Sequence, residues 1–109
     1  MGTDARPSAE IARWVGHRLP RLLRGYAVDA AYLFGSWGRG EADRYSDIDL
    51  IVVANSARPF VERFRDFPGL WHEAPTGIDL LIYTPEEFAR ERRHNRFLRH
   101  VLRHARRLR

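Results

Sequence analysis

Residues 47–53 read DIDLIVV, a β-branched apolar run that carries carboxylates at two alternate positions. Such a run is a strand in pattern and composition. Side chains two apart on a strand share a face, so Asp47 and Asp49 project together. Two carboxylates held that close are unfavourable unless a cation neutralises them or one keeps its proton. The run GIDLLIY at 77–83, bounded by Pro75 and Pro85, repeats the pattern with Asp79. If this strand lies beside the first, Asp79 joins the same cluster. Mg²⁺, a hard ion that takes oxygen ligands, would resolve the repulsion. Three carboxylates can hold two such ions, ~3.5–4 Å apart, which clamp the attacking and leaving oxygens of a phosphoryl displacement. The bland reading of either strand is an exposed acidic position with no ligand.

The segment upstream changes that balance. AVDAAYLF at 27–34 reads as a buried strand, and Gly35 to Gly40 then packs three glycines into six residues. Here the backbone bends or approaches something closely. Gly35 and Ser36 lead into a short helical turn whose N–H groups and hydroxyl can hold a phosphate, with Arg39 adding a charge-assisted contact. The chain then returns through 40–46 to Asp47. Phosphate grip and acidic strand are therefore consecutive parts of one supersecondary unit.

The remaining segments predict helices around these strands. Ile11, Val15, Leu19 and Leu22 give helical spacing over 8–23, with Pro20 expected to kink it. Residues 59–67 predict a short helix followed by a turn at Pro68-Gly69. Thr84 is placed to cap a helix with Pro85 at its first position, and the chain is expected to stay helical from Glu86 to its end. Phe97, Leu98, Val101, Leu102, Ala105 and Leu108 form one apolar stripe of that segment. Alternating helices and strands give an α/β layer architecture, in one domain covering 1–109.

Composition narrows the chemistry. The sequence has no cysteine and no lysine among its 19 basic residues. Disulfides, thiolate zinc sites, cysteine nucleophiles, Schiff bases and Walker-type loops are all excluded. No apolar run approaches the ~18 residues of a membrane span, and MGTDARPSAE lacks the apolar segment of a secretory signal. A soluble, cytoplasmic protein without membrane contact is expected. Charge is uneven: residues 90–109 hold nine arginines against one acid, Glu91. That basic segment can face solvent, a protein partner or RNA, although no nucleic-acid-binding motif accompanies it.

YLFGSWGRGEADRYSDIDLIVV, with ten residues between Ser36 and Asp47, resembles the G-S-x(10)-D-x-D signature of the DNA polymerase β nucleotidyltransferase superfamily. GIDLLIYTPEEF supplies Asp79 where that family has its third carboxylate, so the likeness covers 32–88. It implies an α+β palm with a small mixed sheet and two Mg²⁺ ions at Asp47, Asp49 and Asp79. It also implies ATP or another nucleoside triphosphate held by Gly35, Ser36 and Arg39, and catalysis by the three aspartates. Trp37-Gly38 departs from the family, which often has a charged residue and alanine there. Gly38 is expected to loosen the short helix by ~1 kcal/mol relative to alanine. Trp37 is read either as a nucleobase platform or as a cap on the core.

The chain has the length of the minimal branch, which resembles antitoxins paired with HEPN-domain toxins. That resemblance implies transfer of AMP to a tyrosine of such a partner. The rival readings are an antitoxin that merely occludes its partner, and a small-molecule nucleotidyltransferase whose pocket is completed by a homo-oligomer.

Overall fold

The computed structural model describes residues 6–109, so part of the N-terminal segment read for a secretory signal lies outside the described residues. Four strands form one sheet in the order β3-β2-β1-β4. β1 (Ala30–Phe34) runs antiparallel to β2 (Ile48–Val53), and β2 runs parallel to β3 (Ile78–Tyr83). β4 (Arg106–Arg107) closes the far edge antiparallel to β1. This is the mixed α+β sheet expected from the sequence.

Even-numbered β2 positions Leu50 and Val52 pack beneath the N-terminal helices with Leu19, Leu23, Phe67 and Leu70. Odd-numbered Ile51 and Val53 face the other layer with Tyr83, Phe88 and Leu98. β2 is therefore covered on both faces, which is why its run is apolar except at its acidic beginning. Leu19, Leu50 and Leu70 are fully buried, and truncation of any to alanine would cost ~2–5 kcal/mol.

The first helix spans the expected residues but bends differently. α1 (Ala9–Arg13), capped by the Ser8 side chain, runs into a π-helical turn (Trp14–Arg18) and then α2 (Leu19–Gly25). Leu19 N–H donates to Trp14 O across the widened turn. Pro20 has no N–H to offer the preceding turn and its ring crowds a carbonyl there. The helix answers with a wider turn, a known site of bending, and continues.

Residues Phe60–Asp66 form a 3₁₀ helix, and the expected turn at Pro68-Gly69 is instead the start of α4 (Pro68–His72). Proline fits there because a first helical position needs no N–H donor.

The C-terminal segment departs most from the continuous helix expected of it. α5 (Pro85–His94) starts as expected, with a capping box between Thr84 and Glu87. It stops at Asn95, whose backbone is extended (ψ 114°) and whose side chain accepts from Leu98 N–H to start α6 (Arg96–Arg103). The continuous helix over 86–109 is thus two helices and an edge strand. Ala31 binds that last segment through Leu108 N–H to its carbonyl at 2.8 Å and its own N–H to Arg109 O at 3.3 Å. The apolar stripe divides accordingly: Leu98, Val101, Leu102 and Ala105 pack on the β2 face that holds Ile51, while Leu108 packs on the opposite face. Among the described residues, no helix is long and apolar enough to cross a membrane.

Candidate active site

The register of the sheet sets the acids in a row. Asp49 lies opposite Phe34 on β1 and directly opposite Asp79 on β3. Adjacent strands lie ~4.8 Å apart, so the two carboxyls share one face at close range. Asp49 is half-buried, whereas Asp47 and Asp79 are exposed. Burial, the hydrogen-bonded Asp79 carboxyl and the Asp79 and Asp47 charges push the Asp49 carboxyl up to about 6; Arg39 pulls the other way. Burial and the neighbouring acidic charges both disfavour the charged form of Asp49.

Asp47 lies one residue before β2, alongside Gly77, the residue before β3. A Cβ on Gly77 would come within 2.5 Å of Asp47 Oδ1. Gly77 therefore makes room for this carboxylate at the strand mouth, a role the sequence did not signal. Among the described residues, no group of three Asp, Glu, His or Cys side chains is gathered closely enough to hold a metal ion as arranged. The closest association is the Asp49–Asp79 pair, with Asp47 near enough to raise Asp49 by its charge.

β1 delivers the chain straight into the glycine turn. Gly35 has a left-handed backbone (φ 65°), and α3 (Gly35–Gly38) follows it. A Cβ at Gly35 would meet Asp49 Oδ2 at 2.2 Å, so glycine is required by both conformation and space. The turn and the acid are thus in contact, as their order along the chain suggested. Ser36 O accepts from Glu41 N–H at 2.8 Å, folding the loop back over α3. Asp43 and Ser46 then close the return: Asp43 N–H donates to Ser46 Oγ at 2.9 Å and Tyr45 N–H to Asp43 Oδ1 at 2.9 Å.

Arg39 Nε donates to Glu41 Oε2 at 3.1 Å, an exposed pair. The pair holds the guanidinium at the loop while leaving its charge within influence of Asp49.

Gly38 corrects an expectation. A Cβ there would lie 2.4 Å from Leu33 O and 3.3 Å from His104 O, both backbone atoms. Glycine tightens the contact of α3 against β1 and the chain after α6, so it fixes the loop. Trp37 packs on the core at Val15, Leu33 and Ile48, which matches its reading as a cap. Phe97, read as part of the apolar stripe, is half-exposed and sets its ring against Phe34 at 5.9 Å. It borders the strand end that leads into Gly35.

A family profile described as polymerase beta, nucleotidyltransferase matches residues 18–91. The chain belongs to the polymerase β nucleotidyltransferase family. The matched span takes in the glycine turn and all three aspartates. No curated protein matches the chain. Among solved structures, a toxin–antitoxin crystallised with AMP-PNP is 24% identical, with a TM-score of 0.57, covering 84% of this chain and 69% of that one. Two mutants of the toxin–antitoxin MntA–HpeT match over the same shares. The mutant with tyrosine changed to alanine is 22% identical with a TM-score of 0.55. The one with two aspartates changed to glutamate is 21% identical with a TM-score of 0.54. These likenesses extend the shared fold beyond the family span.

Proposed function

We propose that this nucleotidyltransferase moves AMP from ATP to a hydroxyl of a protein partner, a tyrosine of a HEPN-type toxin, and so acts as its antitoxin. The observation that carries the chemistry is the in-register pair of Asp49 and Asp79, set against the glycine turn at Gly35. The partner rests on the toxin–antitoxin structures that share the fold.

The donor set fits magnesium in kind, because it offers only carboxylate oxygens, the ligands hard cations take. Among the described residues, Arg39 is the cation whose charge opposes the raised Asp49 carboxyl. Asp47, Asp49 and Asp79 would hold the ions, with Gly35 and Gly77 keeping space around Asp49 and Asp47. Bound magnesium would neutralise these charges and polarise the phosphates of the nucleotide.

Ser36 and the N–H groups of its turn would hold the β- and γ-phosphates, with Arg39 supplying positive charge. Asp79, exposed at the sheet edge, would take the acceptor's proton. The acceptor oxygen forms a bond to the α-phosphorus, the bond from that phosphorus to the β-phosphate bridging oxygen breaks, and pyrophosphate leaves with the electron pair. Holding both reactants on one rigid sheet supplies orientation without large rearrangement.

The test is intact mass spectrometry of a candidate HEPN-type partner after incubation with this chain, ATP and Mg²⁺. A gain of one or more adenylyl groups is expected with wild type and none with Asp47→Asn or Asp49→Asn. Equal results for all three proteins would overturn the catalytic assignment. Toxin neutralisation that survives the double variant would mark the chain as an occluding antitoxin.

A further inference from the structure

The sheet is not equally covered along β3. Ile48 N–H donates to Gly77 O and Ala54 N–H to Tyr83 O, so odd-numbered residues of this segment turn their backbone groups toward β2. Ile78, Leu80 and Ile82 consequently point theirs outward, because both groups of a parallel-strand residue lie on one side. Arg63 fills the last of these places, donating to Ile82 O at 3.0 Å. The N–H and C=O groups of Ile78 and Leu80 have no partner among the described residues. They make an open edge one residue to either side of Asp79.

Beside that edge lies a depression of about 250 Å³ lined by Phe64, Trp71, Ile78, Asp79 and Leu80. Its aromatic wall is already built. Trp71 Nε1 donates to Phe64 O at 3.0 Å, and the two rings meet edge to face at 5.6 Å. Natural sheets usually guard such edges with lysine, proline or a covering element. Here the 3₁₀ helix covers the far end of β3 and leaves the stretch beside the acid open.

We propose that the open edge at Ile78 and Leu80 is the acceptor subsite and takes an extended polypeptide segment as a short added strand. The complementarity is one of backbone hydrogen bonds: alternating donors and acceptors at strand spacing are satisfied by another extended chain. Strand alternation then assigns its side chains. The residue paired with Asp79 turns its side chain to the face that carries Asp79 and Asp49, and its neighbours turn toward the Phe64–Trp71 depression. The segment therefore carries a hydroxyl residue flanked by apolar ones. This subsite rests on the transferase reading above but is tested without any chemistry.

The probe is the peptide acetyl-TVYVT-amide, titrated to millimolar concentration into the isotope-labelled full chain and followed by amide NMR. Shifts centred on Ile78, Asp79 and Leu80, with the Trp71 indole, are expected. Leu80→Pro removes an outward N–H that β2 does not use, whereas Leu80→Ala removes side chain and keeps the N–H. Binding at least tenfold weaker in the proline variant than in the alanine variant is expected. Should the proline variant fail to fold, the wild-type map decides, with Trp71→Ala expected to weaken binding severalfold.

Shifts elsewhere, no shifts, or equal binding in both Leu80 variants would overturn the subsite. So would displacement of the peptide from these amides by an oligouridylate, which would assign the edge to nucleic acid. Edge binding without adenylyl transfer would count against the proposed activity alone. Transfer to a protein partner undiminished in Leu80→Pro would count against the edge alone.

Discussion

Single residues carry most of the chemical load, and two glycines show how. Gly35 combines a positive φ with a Cβ position on Asp49 Oδ2. Gly35→Ala is expected to cost ~1–2 kcal/mol in backbone strain alone and to displace Asp49, abolishing transfer; urea denaturation and an activity assay check both. Gly38→Ala tests a sign. Helix propensity alone favours alanine by ~1 kcal/mol, yet the carbonyl of Leu33 occupies the space, so net destabilisation is expected in the same denaturation experiment. The sequence shows that a glycine stands at 38 but not the carbonyl that requires it, because that contact is made by β1 folding back on the turn.

Asp49 gives the pH dependence. Its carboxyl is raised from 3.8 to about 6 in the folded chain. Its contribution to stability is fully present below the unfolded value and lost as pH rises through about 6. Thermal melts in chelator should therefore show Asp49→Asn gaining on wild type between pH 4 and pH 7. A constant difference across ~pH 4–7 would contradict this coupling.

Elements are where pattern reading succeeds and stops. The three long strands were readable because alternation and β-branching are local properties, and Thr84 with Pro85 marked α5 for the same reason. The segment after Asn95 was not. Its apolar spacing suits a continuous helix, and only the capping side chain of Asn95 and the edge of β1 divide it into α6 and β4. Asn95→Ala should cost ~1 kcal/mol through loss of the cap on α6, measured by chemical denaturation.

Arg63 is the other feature invisible in sequence. Buried within an aromatic 3₁₀ helix, it donates from Nε to Arg58 O at 3.0 Å and from both terminal nitrogens to the Glu87 carboxylate. It thereby ties the 3₁₀ helix to β3 and to the start of α5. The Arg63 guanidinium, followed by the Thr84 backbone N–H, pulls the Glu87 carboxyl down from 4.5 to about 2. Its stabilising contribution is present above the unfolded value and fades as pH falls through about 2. Arg63→Ala is expected to cost ~3 kcal/mol or more by stranding that carboxylate, with a correspondingly lower denaturation midpoint.

At the scale of the molecule, a small sheet brings a glycine turn from one strand end against acids from two others. The order of these parts was readable from the spacing between Ser36 and Asp47, whereas the pairing of Asp49 with Asp79 required the parallel register of β2 and β3. Eight of the nine arginines after residue 89 lie on α5, α6 and the closing edge strand, and Arg109 follows that strand. Arg92 sits over Phe88 and Arg107 over Tyr32, at 5.2 and 5.7 Å from the ring centroids. Part of that basic segment is thus packed onto the β2-side aromatic layer as well as facing outward. The most direct measurement is paramagnetic broadening of amide signals by Mn²⁺ with a non-hydrolysable ATP analogue. Broadening that centres on Ser36, Asp49 and Asp79 in wild type and disappears in Asp49→Asn is the expected result; broadening centred elsewhere, or unchanged by that substitution, would contradict the assignment of this site.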